Sequence, residues 1–215
     1  RRRRCRRRAD VTLYSQPGTA GGAQRAAGGV HTFPGDRSSA KVLPLPASRI
    51  LGTGSYAPEK VMHNRDLEKV VETSDEWIAT RTGIRQRHVA AEGEASSDLA
   101  ANAGRHALEA AGLNVADLDM IIVGTITSDA PIPGCAVQVQ RKLGASDIPA
   151  FDIAAACAGF VYGLTIADQF IATGAARCVM VVGVELLSRA LNWSDRTTCV
   201  LFGDGAGAAI LGPAQ

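Results

Sequence analysis

Two predominantly apolar runs, LDMIIVGTIT at 118–127 and CVMVVGVEL at 178–186, constrain this chain more than any other feature. A strand with one face in water alternates apolar and polar residues, whereas a strand covered on both faces is apolar at successive positions. Both runs therefore read as central strands of a covered sheet. Between them GCAVQVQRKLG, at 134–144, has helical spacing, and PAFDIAAACAGFVYGLTIADQFIATG reads as a strand to about Ala155 followed by a long apolar helix from Ala158 to Thr173. Strand alternating with helix predicts a layered α/β domain.

The flanking segments fit that plan. RILGTGSYAPE, from Arg49, reads as a buried strand closed by a turn, with Gly52 and Gly54 marking close backbone packing or positive φ. Asn64 and Ser74 each precede acids and apolar residues at helical spacing, which predicts two short capped helices. Ser96 or Ser97 caps a longer helix, DLAANAGRHALEAAG, whose Leu99, Ala103, Ala107, Leu108 and Ala111 share one face and whose Gly112 is the stop. In LFGDGAGAAILG, Gly203, Gly205 and Gly207 read as a tight turn feeding a last strand. A phosphate loop is the weaker reading, because the Lys-Ser/Thr ending is absent.

Residues 1–48 show neither period and carry Arg1 to Arg4, Arg6 to Arg8, paired glycines and prolines, so they read as a disordered leader ahead of a folded unit at 49–215. An organellar transit peptide is the alternative, but the leader is not Ser-rich, has no amphipathic pattern and does not begin with Met; upstream or incompletely defined sequence is the expectation. Of the formal net charge of +2, seven positive charges sit in that arginine run, which leaves the rest at −5. An acidic body argues against nucleic acid as a partner. No apolar run approaches the roughly 20 residues of a membrane-spanning helix.

The five cysteines, at 5, 135, 157, 178 and 199, form no C-x-x-C pair, and His31, His63, His88 and His106 are scattered. Neither a metal site nor a disulfide framework is expected, and a reducing cytoplasm suits the chain.

FDIAAACAGF at 151–160 is the segment with chemistry in it: a strand of small residues runs into Cys157, then Ala158 and Gly159, then the long helix. This resembles a nucleophile elbow with sulfur in place of oxygen. A cysteine at a helix N-terminus meets the positive end of the dipole, which favours thiolate, and nearby N–H groups suit an oxyanion. Small neighbours leave room for a thioester. The alternative is a buried cysteine packing as a small hydrophobe, the reading taken for Cys135, Cys178 and Cys199.

RILGTGSYAPE, ETSDEWIATRTGIRQRHVA, FDIAAACAGF, GVELLSR and DRTTCVLFGDGAGAA resemble, in order and spacing, segments of the beta-ketoacyl-acyl carrier protein synthase III family over about residues 49–213. The resemblance implies the N-terminal half of a thiolase-like fold, layered αβαβα in the complete enzyme. It implies transfer of an acyl primer from coenzyme A to Cys157, then decarboxylative condensation with malonyl-acyl carrier protein in a homodimer without a resident cofactor. Trp77 and Arg196 match the pair that sandwiches the adenine of coenzyme A, and Thr73, Arg81 and Thr82 match polar residues along its pantetheine and phosphate path. Ile132 falls where acetyl-preferring relatives carry phenylalanine, at the end of a primer pocket contributed across the dimer, and the departure suggests longer or branched primers.

The family's mechanism also needs a histidine and an asparagine from its second half, to which no histidine of this chain is assigned. The chain is expected to be incomplete, unable to finish the condensation alone, and to leave the apolar helix after Cys157 without its partner. Two rival readings are a condensing enzyme of polyketide or other secondary metabolism, and a non-catalytic half-domain that dimerises.

Overall fold

The computed structural model describes residues 47–214. Nearly all of the leader assigned to residues 1–48 lies outside the described residues. Ser48, its last residue, already pairs with Pro213 in the first strand.

Within the described residues, a five-stranded sheet has the order β1-β7-β6-β4-β5. Strand β4 (Met120–Gly124) lies parallel to β5 (Ala150–Ile153) and to β6 (Val179–Leu186), while β7 (Asp204–Pro213) runs antiparallel to β6 and to β1 (Ser48–Tyr56). The two apolar runs are its central strands, buried on both faces as their composition requires. Ile121, Val123, Met180 and Val182 pack on one side with α3 (Ser96–Ala111) and α4 (Cys135–Leu143). Their neighbours Met120, Ile122, Val179 and Val181 pack on the other with Ala167 and Ile171 of α5 (Gly159–Ala172). Helix, sheet and helix thus make three layers around two cores.

Glycine sets how closely α3 meets the sheet. A Cβ on Gly52 would stand 2.4 Å from the Ala111 nitrogen, and one on Gly54 2.3 Å from the Ala103 oxygen. Both glycines are there for close approach, the first of the two readings from sequence. Gly112 ends α3 in the left-handed conformation at φ 67°, as expected of a C-terminal stop.

Three local readings need correction. Ser96 and Ser97 do not cap α3, because Ala95 holds the N-cap position and both hydroxyls are drawn sideways, Ser96 to the Thr127 carbonyl and Ser97 to the Asp129 carboxylate. Asn64 does not cap the short helix α1 (Asn64–Leu67); His63 precedes it, and the buried Asn64 amide bonds elsewhere. Gly205 and Gly207 lie within β7 rather than in a turn, paired with Glu185 and Gly183 of β6. In each case a distant partner outbid the local preference that sequence displays.

A smaller lobe carries β2 (Val61–His63), which pairs with β3 (Gln86–His88), α2 (Asp75–Thr82) and α6 (Arg196–Cys199). Leu67, Ile78, Cys199 and Val200 form its core, with Trp77 and Trp193 packed against them. Ser74 caps α2 as expected, accepting from the Trp77 N–H at 3.1 Å.

Candidate active site

The strand-to-helix junction after β5 is sharper than sequence suggests. The strand ends at Ile153, a 3-10 turn spans Ala156–Ala158, and α5 begins at Gly159. Ala156 takes φ 46°, a left-handed conformation that costs a non-glycine residue about 1–2 kcal/mol. That strain stands immediately before Cys157, as on a nucleophile elbow. The start of α5 is seated over the end of β4 by a contact between two glycines, since a Cβ on Gly124 would come within 2.7 Å of the Gly159 carbonyl carbon. Larger residues here would lift the helix and the cysteine with it.

Among the described cysteines, Cys157 is exposed and Cys135, Cys178 and Cys199 are buried. Burial pushes the Cys178 thiol up to about 11, and it raises those of Cys135 and Cys199 as well. Cys157 instead opens into a recess of about 310 Å³ with Phe160, Glu185, Gly203, Gly205 and Gly207 in its wall. A Cβ on Gly207 would meet nothing within 4 Å, so the space beside this lining residue is open.

Glu185 was not singled out from sequence. Its carboxylate accepts from the Thr127 hydroxyl at 2.6 Å and from the Ile126 N–H at 3.0 Å, which fastens the loop after β4 to the wall of the recess. An acid interrupting an apolar strand was the available signal. The described histidines lie elsewhere: His88 and His106 bond the Pro58 and Ser55 carbonyls, and His63 borders another recess.

Trp77 and Arg196, far apart in sequence, are brought together. The Arg196 guanidinium carbon stands 4.6 Å from the centroid of the Trp77 ring, and that of Arg81 stands 4.5 Å from it. The pair is closed on itself: a flat ring between them needs about 7 Å, two van der Waals spacings. Arg196 also donates to the Glu72 carbonyl at 3.1 Å. Thr82 is committed to its helix end, donating to the Ile78 carbonyl at 2.7 Å and accepting from the Ile84 N–H at 3.0 Å. The Thr73 hydroxyl is buried without a partner. Ile132 projects from the loop between β4 and α4 with 88% of its surface exposed, and the peptide bond joining it to Pro133 is cis.

Comparison with known proteins agrees with this geometry. Residues 151–215, which include Cys157 and Arg196, match the family model described as 3-Oxoacyl-[acyl-carrier-protein (ACP)] synthase III. Proteins named beta-ketoacyl-[acyl-carrier-protein] synthase III from Xylella fastidiosa and Caldanaerobacter subterraneus are 58% and 59% identical over 164 and 166 residues, respectively. Over these residues the chain is similar to the beta-ketoacyl-[acyl-carrier-protein] synthase III family. It spans about half the length of these relatives, 51% and 50%, with 76% and 77% of its own residues aligned. The crystal structure of 3-oxoacyl-[acyl-carrier-protein] synthase III from Aquifex aeolicus superposes with a TM-score of 0.76 at 50% identity, covering 78% of this chain and 54% of that one. The priming beta-ketosynthase of a polyketide biosynthetic pathway gives the same TM-score at 40% identity, covering 80% of this chain and 52% of its own. The fold is thus thiolase-like, over about half of such a chain. No helix among the described residues is long and apolar enough to cross a membrane.

Proposed function

We propose that the protein is an initiating condensing enzyme that takes an acyl primer from coenzyme A onto Cys157 and joins it to malonyl-acyl carrier protein. The observation that carries this reading is the exposed Cys157 behind a strained Ala156, at the mouth of a glycine-walled recess. The Cys157 sulfur attacks the thioester carbonyl, its S–C bond forms, and coenzyme A leaves as a thiolate that takes up the proton. Malonyl-acyl carrier protein then loses carbon dioxide, and the resulting carbanion attacks the acyl carbon and releases Cys157.

The coenzyme A thioester is a substrate, and no resident cofactor or metal enters. Its adenine displaces the Arg196 guanidinium from Trp77 and lies between them, a geometry suited to stacking on aromatic and guanidinium planes. Arg81 serves the phosphates, and the unpartnered Thr73 hydroxyl lies beside the same helix. Ile132, apolar and almost wholly exposed on one chain, belongs to the primer pocket of a second copy in a homodimer. Its size favours longer or branched primers over acetyl. The setting is the cytoplasm.

The test uses a full-length protein that joins this chain to the second half of the fold, supplies acetyl-coenzyme A and malonyl-acyl carrier protein, and measures acetoacetyl-acyl carrier protein and carbon dioxide. The reading expects both, and neither with Cys157→Ala. Product formation that survives Cys157→Ala would overturn it. Equal or poorer use of isobutyryl-coenzyme A than acetyl-coenzyme A would remove the Ile132 assignment. The likeness to a polyketide priming ketosynthase keeps a second reading open, which preference for a polyketide carrier protein over the fatty-acid one would favour.

A further inference from the structure

Arg87, in β3, is only 5% exposed, and no acidic side chain among the described residues pairs with it. Its Nη2 donates to the Asn64 side-chain oxygen at 2.9 Å and to the Val200 carbonyl at 3.2 Å, and its Nε is buried with no partner. Asn64, 1% exposed, passes the connection on, donating from Nδ2 to the Asp75 carboxylate at 2.8 Å and to the Ile84 carbonyl at 2.8 Å.

The two ends of this chain of bonds lie beside Trp77 and Arg196, the two jaws of the clamp proposed above for adenine. Asp75 is the first residue of α2, two before Trp77, and Val200 is the C-cap of α6, which opens with Arg196. A buried cation without a carboxylate, and with one N–H unmet, is a poor choice for stability, and an apolar side chain of similar length would pack there at less cost. A planar fork with several fixed donors, however, can hold two main-chain segments at a set spacing.

We propose that Arg87 is the positioning residue of the clamp, fixing the separation of the Trp77 and Arg196 backbones across which the nucleotide end of coenzyme A is held. The inference rests on the reading of Trp77 and Arg196 given above. When adenine enters, the Arg196 side chain swings off the Trp77 ring while α6 stays in place. Arg87 touches no substrate; it acts through Asn64 and Val200.

The experiment measures the Kd of coenzyme A by titration calorimetry, with the rate of Cys157 alkylation by iodoacetamide as the control for an intact nucleophile site. It compares the unaltered chain with Trp77→Ala, Arg87→Met and Arg87→Lys. Arg87→Met is expected to raise the Kd about tenfold, the scale of losing one well-placed stacking contact, with the alkylation rate within twofold. Arg87→Lys keeps the charge without the fork and is expected to raise it about threefold. No change in Kd, or a change matched by the alkylation rate, overturns the positioning role, because general loosening moves both readouts. If Arg87→Met does not fold, Arg87→Lys decides by the same two readouts. An unaltered Kd in Trp77→Ala removes the clamp itself, whereas an effect in Trp77→Ala with none in either Arg87 variant removes only Arg87.

Discussion

Replacing Gly207 by valine separates the site from the fold, because the position is free on one account and critical on the other. A Cβ on Gly207 meets no atom within 4 Å, so the first added carbon carries no overpacking penalty. Within β7, exchanging glycine for a β-branched residue recovers about 0.5–1 kcal/mol through backbone entropy and strand preference. For a domain of this size that corresponds to a rise in Tm of about 1–4 °C. The new methyl groups stand in the 310 Å³ recess that Cys157 lines. Thioester attack needs the reacting atoms about 3–3.5 Å apart, and displacement by about 1 Å costs on the order of a hundredfold in rate. Circular-dichroism melting and the rate of acyl-enzyme formation from acetyl-coenzyme A, followed by intact mass, test both halves. Unchanged or raised Tm with acylation slowed about a hundredfold, roughly 2.7 kcal/mol of barrier, is the expected result. Acylation at the original rate would refute the assignment of the recess as the thioester site, and a lowered Tm would refute the packing argument.

Native alkylation by iodoacetamide at pH 8, mapped by peptide mass, should modify Cys157 ahead of Cys135, Cys178 and Cys199, whose buried thiols resist ionisation. Gly54→Ala should lower Tm by about 4–12 °C, from roughly 2–3 kcal/mol of overpacking, because both atoms 2.3 Å from the new Cβ, the Ala103 oxygen and the Ala107 nitrogen, belong to the helix backbone. Asp98, which bonds the Ala95 N–H and the Lys142 ammonium, gives a pH test. Burial alone would raise its carboxyl, but Lys142 and the N–H outweigh it and hold it below its usual value. A depressed carboxyl stabilises above its unfolded-state value and loses that contribution as pH falls through the folded one. Asp98→Asn should therefore cost under about 1 kcal/mol at pH 7, solvent screening included, and the difference in Tm should shrink on acidification below about pH 4.

The sheet was legible because its central strands declare themselves: Ile121, Ile122, Val179 and Val181 have no polar neighbour to spend on a solvent face. The junction that carries Cys157 was legible for a related reason, since strand, small residues and helix follow one another locally. Side chains that answer to distant partners were not. Ser96, Ser97 and Asn64 have the chemistry of caps, yet their partners, Thr127, Asp129, Asp75 and Ile84, lie 11 to 32 positions away. Thr82 matches a family position in sequence, while its hydroxyl closes the end of its own helix. Glu185 showed only as an acid in an apolar strand and Arg87 not at all, because their meaning lies in what they bridge. Trp77 and Arg196 could be paired in advance only by resemblance, and resemblance did not disclose that they close on each other.

The central claim is that Cys157 accepts the acyl group, and peptide mapping by mass spectrometry after incubation with acetyl-coenzyme A tests it most directly. One acetyl group is expected on the peptide containing Cys157, discharged by hydroxylamine and lost in Cys157→Ala. An acetyl group found on another residue, or none on Cys157 while coenzyme A is bound, would contradict it.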